Sequence, residues 1–257
     1  KLQPRKEIQI NHLNIDNDKS NPILVTEYVN ELYEYFNIKE MKLKYVKDIF
    51  KNQVFINDKM RTIMIDWLVD VTRIFKMVPE TLFLCSQIID RYIKKIENIS
   101  ISKLQLVGLS SLLIASKIEE NDIYEIEDLV RITDGAYDKE ELLEMEMEIA
   151  IALNFDFSIP TIHTFICRYL KAVNVTKEMV QISCYIIELS LCYVNNYLPS
   201  IIAVSAIALA KSKLNARVWS NELTFYTRYK IYDLTDCIKY LIKIIKIKDK
   251  KNNAVYR

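Results

Sequence analysis

The chain has 257 residues, 51% of them hydrophobic, and its 35 Lys and Arg against 34 Asp and Glu give a net charge of +1. That balance excludes the general attraction to nucleic acid or anionic membrane that a strongly basic chain would have. With 2 glycines and 5 prolines, turn residues are too scarce for a β-rich fold of this length, so the composition predicts an all-α protein of one large domain or two ordinary ones. Charge is uneven locally, with Glu140 to Glu148 acidic and Lys239 to Lys251 basic.

No apolar run is read as approaching the roughly 18 residues of a membrane span, and no signal peptide is expected. The odd, scattered cysteines (Cys85, Cys167, Cys184, Cys192 and Cys237) read as reduced core thiols of a nuclear or cytoplasmic protein rather than as a disulfide framework.

In chain order, residues 1–20 are polar and predict a loosely held tail. A first helix is expected over about Pro22 to Phe36, with Pro22 in its first turn, and a linker reaches residue 56. Five helices then follow, near Asp58 to Lys76, Pro79 to Ile96, Ser102 to Lys117, Glu125 to Arg131 and Asp138 to Leu153. Their start signals are Asn57, Pro79, Ser100 or Ser102, and Asp138. Residues 157–248 repeat this plan. Tyr137-Asp138 recurs as Tyr232-Asp233 and Ala115 as Ala210, both 95 residues on (232 − 137 and 210 − 115), while Asp128-Leu129 recurs as Glu222-Leu223, 94 on (222 − 128). A near-constant offset with order preserved predicts two copies of one five-helix unit, 57–156 and 157–248, followed by a tail at 249–257.

Catalytic signatures are missing. The two histidines are His12 in the tail and His163 beside the junction, and no His-Glu-x-x-His, Cys-x-x-Cys or glycine-rich phosphate loop occurs. His163 reads as a helix-start or interface residue. No metal or cofactor is called for, and the chain reads as a binding module.

Charged residues within apolar faces stand out instead. On the helix from Asp58, the apolar positions sweep about 240°, where core contact needs about 100°. Either this helix runs through the middle of a bundle or part of it meets a partner. Arg61 lies inside that arc and wants a buried acceptor, for which Asp90 is nearest to hand. Glu146 projects from an apolar face formed by Leu142, Leu143, Ile149, Ala150 and Leu153. Lys117 closes the third helix of the unit, where the helix dipole favours a cation. A structural salt bridge between these two is one reading.

The segment Met60-Arg61-Thr62-Ile63-Met64-Ile65-Asp66-Trp67-Leu68 resembles the opening helix of the cyclin box. Four further runs agree in order: Pro79-Glu80-Thr81-Leu82-Phe83 leading to Ile88-Ile89-Asp90-Arg91-Tyr92, Lys103 to Gly108, Ala115-Ser116-Lys117-Ile118-Glu119-Glu120, and Ile132-Thr133-Asp134 followed by Met145-Glu146. The likeness is to A/B-type mitotic cyclins, and it extends upstream through Tyr28 and Tyr35 and over residues 21 to 248.

The resemblance implies tandem five-helix boxes preceded by an N-terminal helix, and a non-catalytic subunit that binds and activates a cyclin-dependent Ser/Thr kinase. The kinase contacts it implies are Lys117 and Glu146, with Ile118, Glu119, Leu113, Leu142, Tyr28, Leu32 and Tyr35 around them. A second surface, Met60, Ile63, Met64, Trp67, Asp70 and Gln105, matches the hydrophobic patch that recruits Arg-x-Leu substrates and inhibitors: a carboxylate to pair the cation and an apolar strip to bury the leucine. Core packing of Trp67 is the other reading. Arg61 and Asp90 are implied to be an architectural pair. There are three departures from the family pattern: Met64 replaces Leu, Asp70 replaces the longer Glu, and Ile118 with Asn121-Asp122-Ile123-Tyr124 replaces an aromatic and a Pro-Pro pair. The competing readings are a two-repeat scaffold on nucleic acid, whose one basic candidate is Lys239 to Lys251, and a transcription-type cyclin.

Overall fold

In the computed structural model the described residues are 15–16, 26–42, 48–122, 124–173 and 175–255. Among them are α1 (Val29–Lys42), then α2 (Asp58–Ile74), α3 (Pro79–Lys95), α4 (Leu104–Glu119), α5 (Ile126–Arg131) and α6 (Lys139–Ala152) as box 1. Box 2 comprises α7 (Ile162–Lys171), α8 (Lys177–Leu191), α9 (Pro199–Lys213), α10 (Asn221–Thr227) and α11 (Thr235–Val255). No strand occurs among the described residues. The first helix therefore begins later than expected and continues to Lys42, and Pro22 lies outside the described residues. The expected C-terminal tail is helical as far as Val255.

Local chemistry sets the helix ends. Asn57 Oδ1 accepts the Met60 N–H at 3.1 Å, and Asp138 and Glu141 bond reciprocally at 2.8 and 3.0 Å, so orphan amides at two helix starts are satisfied. Pro79 and Pro199 occupy the first helical position, where no N–H is needed. The expected serine caps of α4 are not formed; Ser100 and Ser102 bond each other at 2.7 Å beside the 3₁₀ turn Ile101–Lys103. With so little glycine, asparagine closes helices: Asn154 and Asn215 adopt left-handed φ of 53° after α6 and α9. The next amides, of Phe155 and Ala216, reach back to the Ala150 and Lys211 carbonyls at 2.9 Å.

Each box is built around its third helix. In α4 every residue from Leu104 to Ser116 except Gln105 is buried, and α9 is buried as fully from Ile202 to Ala208. Small side chains let neighbours approach: a Cβ added at Gly108 would meet Met64 Sδ at 2.9 Å, so the glycine fixes the α2–α4 spacing. Over Ile101–Glu119 this element does have the length and hydropathy of a membrane span, contrary to the sequence expectation, but 67% of it is buried and its apolar character serves the box 1 core. Of the cysteines, Cys85, Cys192 and Cys237 are buried as expected, whereas Cys184 is half-buried and Cys167 is exposed.

The boxes are locked through α2. Arg61, among the largest fully buried side chains, forks onto Asp90 at 2.5 and 2.8 Å and donates to the Leu191 carbonyl of box 2 at 2.8 Å. Burial alone would lower its pKa, but Asp90 outweighs it and the value is raised. Thr62 adds a bond to the Cys192 carbonyl at 2.7 Å. A second contact between the boxes joins α3 to α7, where His163 Nδ1 meets Glu80 at 3.2 Å and its ring lies 5.6 Å from that of Phe83. Helix α1 packs against box 2, where Tyr33 donates to the Thr164 carbonyl at 3.0 Å. The buried Glu40 accepts from the Ser200 N–H and hydroxyl at 3.1 and 2.6 Å; burial raises its pKa, against the effect of those two bonds.

Candidate protein-interaction site

Lys117 lies in the last turn of α4 and Glu146 midway along α6, and the structure joins them at 2.5 Å from Nζ to Oε1. The lysine is 47% exposed and the glutamate 18%, so the pair is open to solvent on its lysine side. Two expected contact residues do not reach the surface. Leu113 and Leu142 are fully buried, because they face the α4–α6 contact that Ser110 fastens by donating to the Leu142 carbonyl at 3.2 Å. They are the floor beneath the ion pair, whereas Ile118 and Glu119 are exposed beside it. Partial desolvation of its carboxyl, followed by the like charge of Glu80, raises the Glu119 pKa although the residue as a whole is exposed. Glu120 has a role the motif did not disclose: its Oε1 accepts from the Val78 N–H at 2.8 Å and the Thr81 hydroxyl at 2.5 Å, tying the end of α4 to the start of α3. The loop that departs from the family pattern is held by Tyr124, whose ring stands edge-on to Phe75 at 5.6 Å.

An exposed apolar surface surrounds the pair. Leu143, Met147 and Ile151 recur every four residues along α6, and Phe155 follows in the left-handed region; all four are exposed. On α1, Tyr28, Leu32 and Tyr35 continue into Ile38 and Met41 as an exposed stripe, while Tyr33, Phe36 and Glu40 turn inward. Lys39 bonds Asp156 and Ser158 at 3.4 and 2.6 Å, which brings the end of α1 to the segment following Phe155. Met147, Ile151 and Phe155 escaped the sequence reading, although the 143-147-151-155 spacing was there to see. Leu143 is exposed rather than part of the inward face, which is formed by Leu142, Met145, Ile149, Ala150 and Leu153.

The second predicted surface divides by depth. Ile63 is 62% exposed and Ile74, about three turns further along the same face, 69%; Met60, Trp67 and Gln105 are half-buried, and Asp70 is exposed. Met64 departs from expectation: it is buried over Gly108 and supports the strip from below. Trp67 packs one side against the core, so both readings of it hold in part. Asp70 lies 3.7 Å from Arg73, which also reaches Glu188 of box 2 at 2.8 Å.

These features define a class: an all-α protein of two five-helix repeats that presents charged and apolar residues on box 1 and its leading helix. Residues 31–158 match the family described as Cyclin, N-terminal domain, and residues 160–257 match Cyclin, C-terminal domain. The chain belongs to the cyclin family. It is 41% identical over 253 residues to the G2/mitotic-specific cyclin-B of Spisula solidissima, a match covering 97% of this chain and 59% of that one. To Cyclin-B2-1 of Oryza sativa subsp. japonica it is 39% identical over 228 residues, 88% of this chain and 54% of the other. The chain thus spans little more than half the length of these relatives. In fold it is similar to a viral cyclin from herpesvirus saimiri, with a TM-score of 0.75 at 19% identity over 84% of this chain and 96% of that one.

Proposed function

We propose that the chain binds a cyclin-dependent Ser/Thr kinase and activates it in mitotic cell-cycle control, in the nucleus or cytoplasm, without performing chemistry itself. The observation that carries this reading is the Lys117–Glu146 pair, half open to solvent at 2.5 Å, set beside exposed Ile118, Leu143, Met147 and Ile151 and continuous with the stripe on α1. Exposed apolar patches rimmed by charge are a property of partner-binding faces. The similarity to a protein named G2/mitotic-specific cyclin-B supports the mitotic assignment.

The mechanism is differential binding. A kinase is active when the helix bearing its lysine-paired glutamate is inward and its activation loop ordered, and a rigid surface complementary to that arrangement alone shifts the population toward it. Lys117 supplies donors and Glu146 acceptors for the backbone ends of that helix, and the apolar residues exclude water around them. Met60, Ile63, Trp67, Asp70 and Gln105, backed by Met64, take Arg-x-Leu segments of substrates or inhibitors.

Co-purification with a cyclin-dependent kinase and phosphorylation of histone by the pair tests the reading. Glu146→Lys is expected to abolish stimulation with the far-ultraviolet circular dichroism unchanged; undiminished stimulation removes the proposed contact. Trp67→Ala is expected to weaken binding of an Arg-x-Leu peptide while leaving the kinase complex intact, and equal peptide affinity removes the docking assignment.

A further inference from the structure

Outside that face, box 2 contains a buried cation held by a residue from far upstream. Arg168 of α7 is 6% exposed, and both arms of its guanidinium donate to Asp16, Nη1 to Oδ1 and Nη2 to Oδ2, each at 2.8 Å. Its Cζ lies 4.4 Å from the Tyr33 ring centroid and 5.6 Å from that of Tyr226, with Asn30 Oδ1 at 3.5 Å from Nη2. The Tyr226 hydroxyl also accepts the Ile15 backbone N–H at 3.3 Å. A two-pronged carboxylate contact, aromatic walls and a main-chain bond converge on one dipeptide, 152 residues from the arginine.

The walls of the pocket have contacts of their own, independent of that dipeptide. Tyr33 is fixed by its bond to the Thr164 carbonyl and by an edge-on contact with Phe165 at 6.3 Å. Arg168 belongs to the inward face of α7 and Tyr226 to α10. Were Asp16 to leave, a guanidinium fixed between rings would lack its anion, a state that any suitably presented carboxylate would relieve. Planar two-pronged geometry selects a carboxylate over a carbonyl or hydroxyl.

We propose that Arg168, Tyr33 and Tyr226 form a carboxylate-recognition pocket on box 2 whose occupant is the Ile15–Asp16 segment of the same chain, an intramolecular latch. Covalent linkage gives this segment an effective concentration in the millimolar range, so the pocket is closed to acidic peptides at ordinary concentrations and becomes available when the latch opens.

The full chain and its Asp16→Asn variant, titrated with a fluorescent peptide of the sequence of residues 10–20, test this by anisotropy. The variant is expected to bind at least tenfold more tightly than the parent, and the same peptide with its own Asp16→Asn change is expected to bind neither. Equal affinity for parent and variant overturns the proposal, as does binding that survives loss of the peptide's Asp16 carboxylate. Hydrogen exchange supplies a readout without peptide: the Ile15 amide is expected to exchange at least tenfold faster in Asp16→Asn, and an unchanged rate overturns the latch.

Discussion

The two boxes share one scaffold and differ at the positions that would carry function. Ala115 in α4 and Ala210 in α9 are both fully buried at matching places in the central helices, as are Leu129 in α5 and Leu223 in α10. Carrying the 95-residue offset to the ion pair, Lys117 becomes Ser212 (117 + 95) and Glu146 becomes Leu241 (146 + 95), and Leu241 is fully buried. Box 1 has a carboxylate at the edge of its surface where box 2 has a leucine in its core. The small residues that let helices approach are what the repeat must keep; the residues at the rim of α4 and the face of α6 are free to become a site or to become core.

The largest effect follows from imposing one box's choice on the other. Leu241→Glu puts a carboxylate into the box 2 core where no cation stands at the equivalent of Lys117, and is expected to destabilise by more than about 4 kcal/mol. Urea unfolding followed by circular dichroism measures it. A loss below about 1 kcal/mol would mean that the face of α11 is not the counterpart of the face of α6.

Next is the connection between the boxes. Arg61→Ala removes the guanidinium that joins Asp90 to the Leu191 carbonyl. Because Asp90 is itself partly exposed, the cost is expected near the low end for a broken buried pair, about 3 kcal/mol. It should also separate one unfolding transition into two, since the α2 contacts with Leu191 and Cys192 are shared between boxes. Calorimetry resolves this, and a single unshifted transition would show that the other seam contacts suffice.

How much of this was legible in the sequence depends on what each residue answers to. Helix positions within box 1 were legible because caps and proline signals act locally: Asn57, Pro79 and Asp138 each do what their chemistry predicts. The Arg61–Asp90 pair was legible because a charge inside an apolar arc demands a partner. The depth of Leu113, Leu142 and Met64 was not, since helical periodicity gives direction and not which neighbour covers a face; Met64 is buried because Gly108 lets α4 come close. The start of α1 at Val29 was not legible because α1 answers to box 2 through Tyr33 and Glu40, contacts more than a hundred residues away in the chain. Asp16 was assigned to a loose tail for the same reason, its partner being Arg168.

A gentler form of the exchange makes box 1 resemble box 2. Lys117→Ser with Glu146→Leu removes a pair that is nearly half exposed on its lysine side, so stability is expected to change by no more than about 1 kcal/mol. Kinase stimulation, in contrast, is expected to vanish. A double variant that stimulates normally would reduce the pair to a structural salt bridge, and one that unfolds would show that the pair sustains the α4–α6 contact.

The smallest expected effect concerns pH at the seam. Burial acts to lower the His163 pKa, but Cys167 at 3.7 Å and Glu80 at 3.2 Å outweigh it and push it up to about 10, against about 6.5 in an unfolded chain. A raised histidine contributes stability that is complete below the unfolded value and is lost as pH rises through the folded one. Glu80 has the opposite sign: the His163 hydrogen bond, against partial burial, lowers its pKa, so its contribution is present above the ordinary carboxylate range and is lost as pH falls through the depressed value. The pair therefore stabilises most between about pH 5 and pH 6.5, and declines toward pH 10. Because Glu80 is 43% exposed, solvent screening holds the whole effect below about 1 kcal/mol. His163→Gln should flatten the fall in melting temperature between pH 7 and pH 10 relative to the parent chain. Parallel curves over that interval would mean that Arg61, at the other contact between the boxes, sets their coupling without help from His163.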